Sequence, residues 1–341
     1  MSRKRVLITG ATGFIGGYLV DEAIRCGYEV WAAVRKGSNR SRLSDKGIHF
    51  VELSYTDPTQ ITDLANSLAP EGEPAWHLVI HNAGVTKVKQ TEEFYRINSE
   101  QTALFVAQLR QAKCPPERFL LMSSMGSYGP PPNDTEPLRS SDPCHPGTEY
   151  GKSKLLAEQY VQESGLPYTI IQPTGVYGPY DQDYLMAIKS VSKGLYVRSG
   201  ISSQTLTFVF ASDLARATFI AAEAPEAEGE KYIVSDGRSY TDKEFGRLIQ
   251  KTLGKKFVLK LALPLPLVYI GCAVGQLWGN LTGSLTPLNR DKYTIFAQRN
   301  WRCDASPIFR LGFTPEYDLE KGLAATVSWA RDNNLLEPSS K

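Results

Sequence analysis

A glycine-rich turn near the start of the chain constrains the fold more than any other feature. It follows the apolar run Val6-Leu7-Ile8, contains Gly10, Gly13 and Gly16, and opens an amphipathic segment. An apolar run before it and a helical pattern after it predict a strand, a tight turn and a helix rather than an ordinary surface turn. Glycine lets the backbone approach a ligand, and the amides at a helix N-terminus favour a pyrophosphate. The sequence therefore predicts a dinucleotide site, although the spacing Gly-x-x-Gly-x-x-Gly differs from the commonest fingerprint.

Short apolar runs alternate with helical patterns along the first half of the chain. This alternation is typical of a doubly wound parallel sheet, so we predict an α/β fold of the Rossmann type. Ligands of such sheets lie outside the carboxyl ends of the strands, where Gly10, Arg35, Asn82 and Ser124 fall. The predicted strands after the first cover residues 29–35, 49–53, 76–81, 118–123 and 168–172, and a long helix is predicted over residues 91–112.

The regular alternation stops near residue 178 and returns between residues 208 and 235. The stretch between them, and the chain beyond Gly237, are rich in glycine, proline and tyrosine. We therefore predict a second, smaller lobe that is discontinuous in sequence. The dinucleotide-binding domain is predicted to comprise residues 1–177 and 208–236, and the C-terminal substrate lobe residues 178–207 and 237–341.

The composition limits the kinds of partner and compartment. The chain of 341 residues has a formal net charge of +2 with dispersed charges, which predicts a small-molecule ligand and no nucleic acid. Four histidines and five cysteines occur without metal-ligand spacing or a Cys-x-x-Cys pair, so we predict no metal and reduced thiols. The first residues lack the apolar run of a signal peptide, and we expect a cytoplasmic protein.

An uncharged stretch from Leu261 to Gly275 is too short to span a bilayer, which needs roughly 20 apolar residues, and two prolines interrupt it. We predict no membrane span. Leucine, isoleucine and valine recur there at helical spacing, which favours a helix packed against the smaller lobe. Contact with a membrane surface and an apolar wall for the substrate remain as alternatives. The residues at this spacing are Leu267, Ile270, Val274, Leu277 and Leu281.

A tyrosine and a lysine four residues apart follow the fifth predicted strand. The spacing places Tyr150 and Lys154 on one face of a helix. A phenol is a poor base at neutral pH, but a neighbouring ammonium stabilises the phenolate and lowers its pKa. Ser124, at the end of the fifth strand, can bond the same substrate oxygen. Tyrosine and lysine alone are common on helix surfaces, and their combination with Ser124 predicts proton transfer to or from a substrate oxygen.

Motifs of one protein family occur in order along nearly the whole chain. They are the glycine turn, His81-Asn82-Ala83-Gly84, Ser123-Ser124, Tyr128-Gly129, the segment from Tyr150 to Lys154, and the segments 173–179, 212–215, 311–315 and 319–323. Together they resemble an extended short-chain dehydrogenase/reductase of the NAD-dependent epimerase/dehydratase family. That family includes sugar-nucleotide epimerases and dehydratases, and the motifs do not choose the substrate. In character the sequence is nearest to members like dihydroflavonol reductase and 3β-hydroxysteroid dehydrogenase.

The resemblance implies roles for individual residues. It makes Ser124, Tyr150 and Lys154 the catalytic triad, gives Lys154 a contact to the nicotinamide ribose, and makes Asn98 a supporting residue. It also implies a homodimer, since relatives commonly dimerise through two helices per subunit. The implied cofactor-binding residues are Gly10, Thr12, Gly13, Phe14, Ile15, Arg35, Arg40, Asn82, Ala83, Gly84, Tyr150, Lys154, Pro173 and Val176.

Two departures from the family pattern concern the cofactor. Arg35 ends the second strand where NAD-preferring members place an acid for the ribose hydroxyls. With Arg40 and Lys36 nearby it presents positive charge for a 2′-phosphate, so we predict NADP, with NAD as the alternative. A solvated basic loop is the other interpretation of these side chains. Ser54-Tyr55 replaces a pair that often lies beside adenine.

The positively charged residues available around the substrate pocket indicate the class of substrate. Leu206 and Gln172 stand where sugar-nucleotide enzymes often carry arginines for the diphosphate, although Arg290 can still serve. We predict an NAD(P)-dependent oxidoreductase that transfers a hydride between nicotinamide and a secondary alcohol or ketone of a fairly apolar small molecule. The alternatives are a sugar-nucleotide epimerase or dehydratase and a non-catalytic dinucleotide-sensing regulator. The side chains expected around the pocket, or else in the lobe core, are Tyr177, Tyr180, Tyr184, Leu185 and the stretch 261–281.

Overall fold

A seven-stranded parallel sheet forms the centre of the protein, as the alternating pattern predicts. The computed structural model describes residues 3–44, 46–57, 59–131, 133, 135–282 and 290–336. Numbered in chain order, the strands of this sheet are β1 (Arg5–Thr9), β2 (Glu29–Val34), β3 (His49–Glu52), β4 (Leu78–His81), β5 (Arg118–Met122), β6 (Tyr168–Pro173) and β11 (Lys231–Val234). They lie in the order β11-β6-β5-β4-β1-β2-β3, and each neighbouring pair is parallel. The predicted Rossmann-type α/β fold is confirmed.

Helices cover both faces of this sheet. The side chains of β1 accordingly alternate between two apolar cores, one on each face. Val6 and Ile8 are buried in one core cluster and Leu7 in another, because successive strand side chains point to opposite faces. The helices are α1 (Phe14–Arg25), α2 (Gln60–Leu68), α3 (Glu92–Phe94), α4 (Gln101–Gln111), α5 (Glu149–Glu163), α6 (Asp183–Ser192), α7 (Ala211–Glu223), α8 (Asp242–Leu253), α9 (Leu265–Thr282), α10 (Arg290–Ala297), α11 (Ser306–Arg310) and α12 (Leu319–Asp332).

Gly10 and Gly16 have separate structural reasons to be glycine. Gly10 has a φ of +64°, and a Cβ there would lie 2.9 Å from the Ala83 nitrogen. A Cβ on Gly16 would lie 2.0 Å from the Gly10 oxygen, so α1 could not pack this closely against β1. Glycine at position 10 thus lets the turn close against the loop after β4, and glycine at position 16 lets α1 pack against the turn.

The predicted helix over residues 91–112 is not one regular helix. Between α3 and α4 the residues Tyr95–Glu100 form a π-helical turn, in which the backbone is wider than in an α-helix. Apolar periodicity does not distinguish the two, because both bury one face. Asn98 lies within this turn and is almost fully buried.

A third apolar core lies outside the central sheet. It joins α6, α8 and α12 and contains Phe208 and Phe245, whose rings stack with centroids 5.2 Å apart. Three small sheets accompany it, namely β7 (Gly175–Tyr177) with β10 (Phe208–Phe210), β8 (Leu195–Ser199) with β13 (Leu259–Leu263), and β9 (Thr205–Leu206) with β12 (Tyr240–Thr241). The division of the chain into two discontinuous domains stays a prediction.

The apolar stretch predicted to pack against the lobe does so only in part. It forms β13 and α9, and α9 packs against α10 through contacts such as the edge-on rings of Tyr269 and Tyr293. Leu267, Ile270 and Val274 are nevertheless exposed, so the expectation of a packed helix is wrong for this face. The side chain of Leu281 lies outside the described part. None of the described helices is long and apolar enough to cross a membrane.

Candidate active site

Two cavities lie side by side at the carboxyl ends of the central strands and meet at Tyr150. The first, here called the glycine-turn cavity, has a volume of about 380 Å³ and is lined by the turn between β1 and α1. The second, the lobe cavity, has a volume of about 440 Å³ and is walled on one side by α10. Both volumes are in the range of small-molecule sites. The residues lining both cavities are Phe14, Ile15, Thr86, Ser123 and Tyr150.

The glycine-turn cavity collects most of the predicted cofactor residues. The N-terminus of α1 faces it, and Gly13 at the cap offers no side chain to occupy the first amides of the helix. Free amides and the helix dipole suit the pyrophosphate of a dinucleotide, so the residues present fit this group. The predicted residues that line this cavity are Gly10, Thr12, Gly13, Phe14, Ile15, Arg35, Asn82, Ala83, Gly84, Tyr150 and Lys154.

The far end of the glycine-turn cavity separates the two predicted arginines. Arg35 and Ser38 both line this cavity. The backbone N–H of Arg35 donates to the Ser38 hydroxyl at 3.1 Å, which holds the two residues together. Arg40 instead pairs with Glu52 at 2.7 Å and lies over the Phe50 ring, outside the lining. The structure therefore does not bring Arg40 to the cavity. Ser38 was not predicted from the sequence, since a serine in a polar loop gives no distinguishing signal.

Pro173 and Val176 are also displaced from their predicted place. Both line the lobe cavity and neither lines the glycine-turn cavity. The reason is the path of the chain, which leaves the central sheet after β6 and forms β7 beside β10. Tyr55 belongs to the pair that departs from the family pattern beside adenine, and it does line the glycine-turn cavity.

Tyr150 and Ser124 approach each other across the junction of the two cavities. Tyr150 lies in the first turn of α5, which Thr148 caps by accepting from the Gly151 N–H at 3.0 Å. Ser124 follows β5 in extended conformation, and its hydroxyl accepts from the Gly126 N–H at 3.1 Å. The Ser124 and Tyr150 side chains both line the lobe cavity, and a Cβ on Gly126 would lie 3.3 Å from the Ser124 hydroxyl and 3.8 Å from the Tyr150 ring. Two hydroxyls thus converge where both cavities are open.

The pKa of Tyr150 does not follow the expectation from the sequence. Burial raises it, because the phenolate loses hydration, and the neighbouring Ser124 hydroxyl opposes that rise only in part. Lys154 is not among the groups that shift this pKa, so the expectation that Lys154 lowers it is wrong for the protein alone. Tyr150 is therefore a protonated phenol at neutral pH, the form that can donate a proton.

Lys154 is a buried cation beside this pair. Its ammonium donates to the Met122 carbonyl at 2.7 Å, and it lines the glycine-turn cavity. Burial lowers its pKa to about 8, and the negative charge of Glu158 opposes that shift. Near neutral pH the side chain still carries its charge, one helical turn along α5 from Tyr150.

Asn98 connects the π-helical turn to α5. Its carboxamide accepts from the Val85 N–H at 2.8 Å, donates to the Val85 carbonyl at 3.0 Å, and donates to the Ser153 hydroxyl at 3.0 Å. Ser153 in turn donates to the Tyr150 carbonyl at 2.7 Å. Asn98 thereby ties the loop after β4 to the helix that carries Tyr150 and Lys154.

Gln172 has a structural task that explains why no arginine is found there. It is fully buried and donates from Nε2 to both carboxylate oxygens of Glu158 at 3.0 Å. Ser123 also donates to Glu158, and Tyr128 donates to the Gln172 amide oxygen at 2.9 Å. This network satisfies a buried carboxylate and leaves Gln172 outside the lobe cavity.

The lobe cavity is mostly apolar, and Tyr184 lines it as predicted, whereas other predicted side chains lie elsewhere. Tyr184 and Leu206 line it, whereas Tyr177 and Leu185 are buried in the lobe core. Tyr180 is half exposed and packs against Arg42 and Trp329 elsewhere. The described side chains of residues 261–279 do not line this cavity either, so the interpretation of that part as a substrate wall is wrong. The apolar lining includes Phe14, Ile15, Phe94, Met125, Pro130, Pro173, Val176, Leu206, Phe208, Ile295 and Trp301.

Charged residues occupy one end of the lobe cavity. Asp183 there accepts from Lys87 and lies 3.9 Å from the Lys292 ammonium. Asp291 accepts from the backbone N–H groups of Glu149 and Tyr150 at 2.9 and 3.4 Å, so α10 is joined directly to the first turn of α5. The side chain of Arg290, the sequence candidate for a diphosphate, lies outside the described part.

The fold and this site define an extended short-chain dehydrogenase/reductase. A parallel Rossmann sheet, a glycine turn at its first strand end and a Ser-Tyr-Lys set beside it occur together. The sequence model of the NAD dependent epimerase/dehydratase family matches residues 6–235. The chain belongs to this family.

Relatives with different activities span the chain almost completely. One is a UDP-glucose 4-epimerase of Vibrio cholerae, 28% identical over 95% of this chain and 94% of that protein. A sterol-4-alpha-carboxylate 3-dehydrogenase, decarboxylating, of Dictyostelium discoideum is 25% identical over 94% of this chain and 99% of that protein. A ceramide reductase of Caulobacter vibrioides is 24% identical over 97% of this chain and 95% of that protein.

Solved structures agree on the fold. The UDP-glucose 4-epimerase of Thermotoga maritima, determined with UDP-glucose, superposes with a TM-score of 0.76 at 21% identity over 97% of this chain and 99% of that one. At this identity the likeness concerns the fold alone.

Proposed function

We propose that the protein is an NAD(P)-dependent oxidoreductase that interconverts a secondary alcohol and a ketone on a fairly apolar small molecule. The observation that carries the proposal is the position of Tyr150, which lines both cavities and shares the lobe cavity with Ser124. A dinucleotide in one cavity and a substrate in the other would meet at this hydroxyl. Proximity of this kind supplies much of the catalysis in two-substrate reactions.

The proposed roles follow from the contacts of each side chain. A bound nicotinamide supplies or accepts the hydride. In the reducing direction Tyr150 gives its phenolic proton to the carbonyl oxygen, and Ser124 donates a second hydrogen bond to the same oxygen. The charge of Lys154, buried beside the site, favours the phenolate that results. In the oxidising direction the same phenolate takes the proton of the alcohol.

The lining of the lobe cavity supports an apolar substrate. Phe94, Met125 and Trp301 are among its walls, and its described lining includes Lys292 but no arginine. A diphosphate transferred from water requires matching charge, usually from arginines. The sterol dehydrogenase and the ceramide reductase among the relatives act on lipids by name, which agrees with such a cavity.

A sugar-nucleotide epimerase or dehydratase is the alternative function. The UDP-glucose 4-epimerases among the relatives favour it, and Lys292 supplies one positive charge in the cavity. Calorimetry with the cofactor-loaded protein separates the two. We expect apolar ketones of sterol or long-chain type to bind and UDP- or GDP-sugars to give no heat. Micromolar binding of a nucleotide sugar without any response to the ketones would overturn the substrate class. Dinucleotide binding without turnover of either class would instead support a sensing regulator.

The second part of the proposal is a preference for NADP. Arg35 and Ser38 line the cavity together at the end of β2. A guanidinium and a hydroxyl suit a 2′-phosphate, which is a dianion at neutral pH and which NAD lacks.

Fluorescence titration of the two cofactors tests this preference. NADP is expected to bind at least about tenfold more tightly than NAD, since hydrogen bonds between charged groups contribute ~1.5–3 kcal/mol. Arg35→Ala is expected to abolish the difference by weakening NADP alone. Arg40→Ala is the matched control, because Arg40 pairs with Glu52 outside the cavity, and it should leave the ratio unchanged. Equal binding of both cofactors to the wild type would remove Arg35 from this role.

A further inference from the structure

The outer face of α9 is a continuous apolar surface on a helix that the protein only partly covers. Leu267, Ile270, Val274 and Leu277 follow one another at intervals of three and four residues, so they share one face of the helix. These four side chains and the neighbouring Trp278 are between 55% and 64% exposed. Single exposed apolar residues are ordinary, but a patch of this kind marks an interaction site.

The segment that leads into α9 extends the apolar character. Phe257 is 77% exposed, and Leu259 and Leu261 of β13 are exposed as well. Val197 of the paired strand β8 stands opposite Leu261 in the register and is also exposed. The docking surface is defined here as Phe257–Leu261 together with the outer face of α9.

The charged residues of the segment that carries this surface have one sign. From Phe245 to Arg290 the sequence contains no aspartate or glutamate. Lys255, Lys256 and Lys260 are exposed beside Phe257 and Leu259. Exposed apolar side chains flanked by lysines match the interface of a bilayer, where acyl chains lie beneath anionic headgroups.

A second copy of the chain suits the same surface less well. A two-fold contact would bring the surface against itself. Lys255, Lys256 and Lys260 would then approach their counterparts, and the segment offers no carboxylate of its own to pair with them. Charge complementarity therefore selects an anionic lipid surface as the occupant.

The surface is connected to the lobe cavity by one layer of protein. Tyr269 of α9 packs edge-on against Tyr293 of α10, with ring centroids 5.1 Å apart. Asp291, Lys292, Thr294 and Ile295 of the same α10 line the lobe cavity. A bilayer on the outer face of α9 would thus lie one helix away from the lobe cavity.

We propose that Phe257–Leu261 and the outer face of α9 dock the protein on the interface of an anionic lipid bilayer without crossing it. Phe257, Leu267, Ile270, Val274, Leu277 and Trp278 enter the acyl boundary, and the three lysines contact the headgroups. The docking surface is distinct from both cavities, so it does not depend on which substrate the enzyme takes.

Co-sedimentation of the full chain with vesicles tests this proposal. The probes are vesicles of phosphatidylcholine alone and of phosphatidylcholine with phosphatidylglycerol. We expect binding to the anionic vesicles that weakens with salt, and at least tenfold weaker binding to the neutral ones. Ile270→Ser combined with Val274→Ser and Leu277→Ser should abolish binding at every salt concentration, and Lys255→Gln with Lys256→Gln and Lys260→Gln should remove the preference for anionic vesicles.

Two controls make the result decisive. Ile24→Ser changes an exposed apolar residue on α1, away from the surface, and should bind vesicles as the wild type does. Dinucleotide affinity, measured on every variant, verifies folding, because no substituted position lines the glycine-turn cavity. Failure of the wild type to bind anionic vesicles would overturn the proposal. So would light scattering that shows a wild-type dimer which the α9 substitutions convert to a monomer, since that would make the face a contact between copies.

Discussion

At the residue scale, the unusual group is Lys154, a cation buried beside the phenol it serves. Its ammonium has one backbone acceptor, the Met122 carbonyl, and a carboxylate further along the same helix in Glu158. Burial destabilises the charged form of Lys154 more than these neighbours stabilise it, so its pKa falls to about 8. The protein therefore gives up stability at neutral pH to keep a positive charge at the site.

This burial predicts how stability depends on pH. The folded pKa of about 8 lies below the ordinary lysine value of 10.5, so the unfolded chain binds more protons between these two pH values. The free energy of unfolding of the wild type should therefore rise relative to Lys154→Met by about 2 kcal/mol between about pH 7 and about pH 9.5. Urea unfolding of both proteins at the two pH values measures it. A difference between the proteins that does not change with pH would contradict the account.

Sequence reasoning located the residues whose spacing carries chemistry and missed those that depend on three-dimensional neighbours. The i, i+4 spacing of Tyr150 and Lys154 is a property of any helix, so their proximity could be predicted. Arg40 was placed in the cofactor set because it is close in sequence to Arg35, but Glu52 on the neighbouring strand holds it elsewhere. Ser38 lines the cavity and accepts from the Arg35 backbone N–H, a loop contact that no sequence pattern predicts.

At the element scale, the decisive contact joins α10 to α5. The first amides of a helix need acceptors, and those of α5 find them in Thr148 from the same segment and in Asp291 from a distant one. Asp291 also lines the lobe cavity. A residue in the wall of the lobe cavity thereby holds in place the first turn of α5, which carries Tyr150 to both cavities.

Removing this second cap should loosen the turn. Asp291→Ala is expected to lower the free energy of unfolding by about 1 kcal/mol, the usual cost of a lost helix cap, and to reduce kcat several-fold. Asp291→Asn keeps an acceptor oxygen without the charge and should lie between this variant and the wild type. Thr148→Ala is the matched control, since it removes the other cap and leaves the link to α10 intact. Urea unfolding and steady-state kinetics provide both quantities, and an Asp291→Ala variant with wild-type values in both would exclude the role.

The elements that could be predicted are those whose burial is decided locally. Most strands of the central sheet are buried on both faces and form short apolar runs in the sequence, so their bounds were predicted within a few residues. The π-helical turn at Tyr95–Glu100 and the exposure of α9 were not predicted. Apolar periodicity predicts that a helix buries a face, but it does not specify which surface, protein or lipid, will cover it.

At the scale of the whole molecule, function depends on how the chain beyond β6 folds back over the central sheet. The glycine-turn cavity is lined by residues at the strand ends of the central sheet. The lobe cavity is lined both by such residues and by residues from the chain beyond β6. Homodimerisation and a cytoplasmic location stay predictions of the sequence.

The central claim is that Tyr150, at the junction of the two cavities, moves the proton in a hydride transfer. Its most direct test is the rate at which apolar ketones oxidise reduced nicotinamide, followed by absorbance, in the wild type, in Tyr150→Phe, and in Tyr160→Phe as the matched control from the far end of α5. Tyr150→Phe should lose about 100-fold or more in kcat, with cofactor affinity and the free energy of unfolding nearly unchanged, because it removes only the proton donor. Tyr160→Phe should behave as the wild type. A Tyr150→Phe variant that turns over ketones at the wild-type rate would contradict the account.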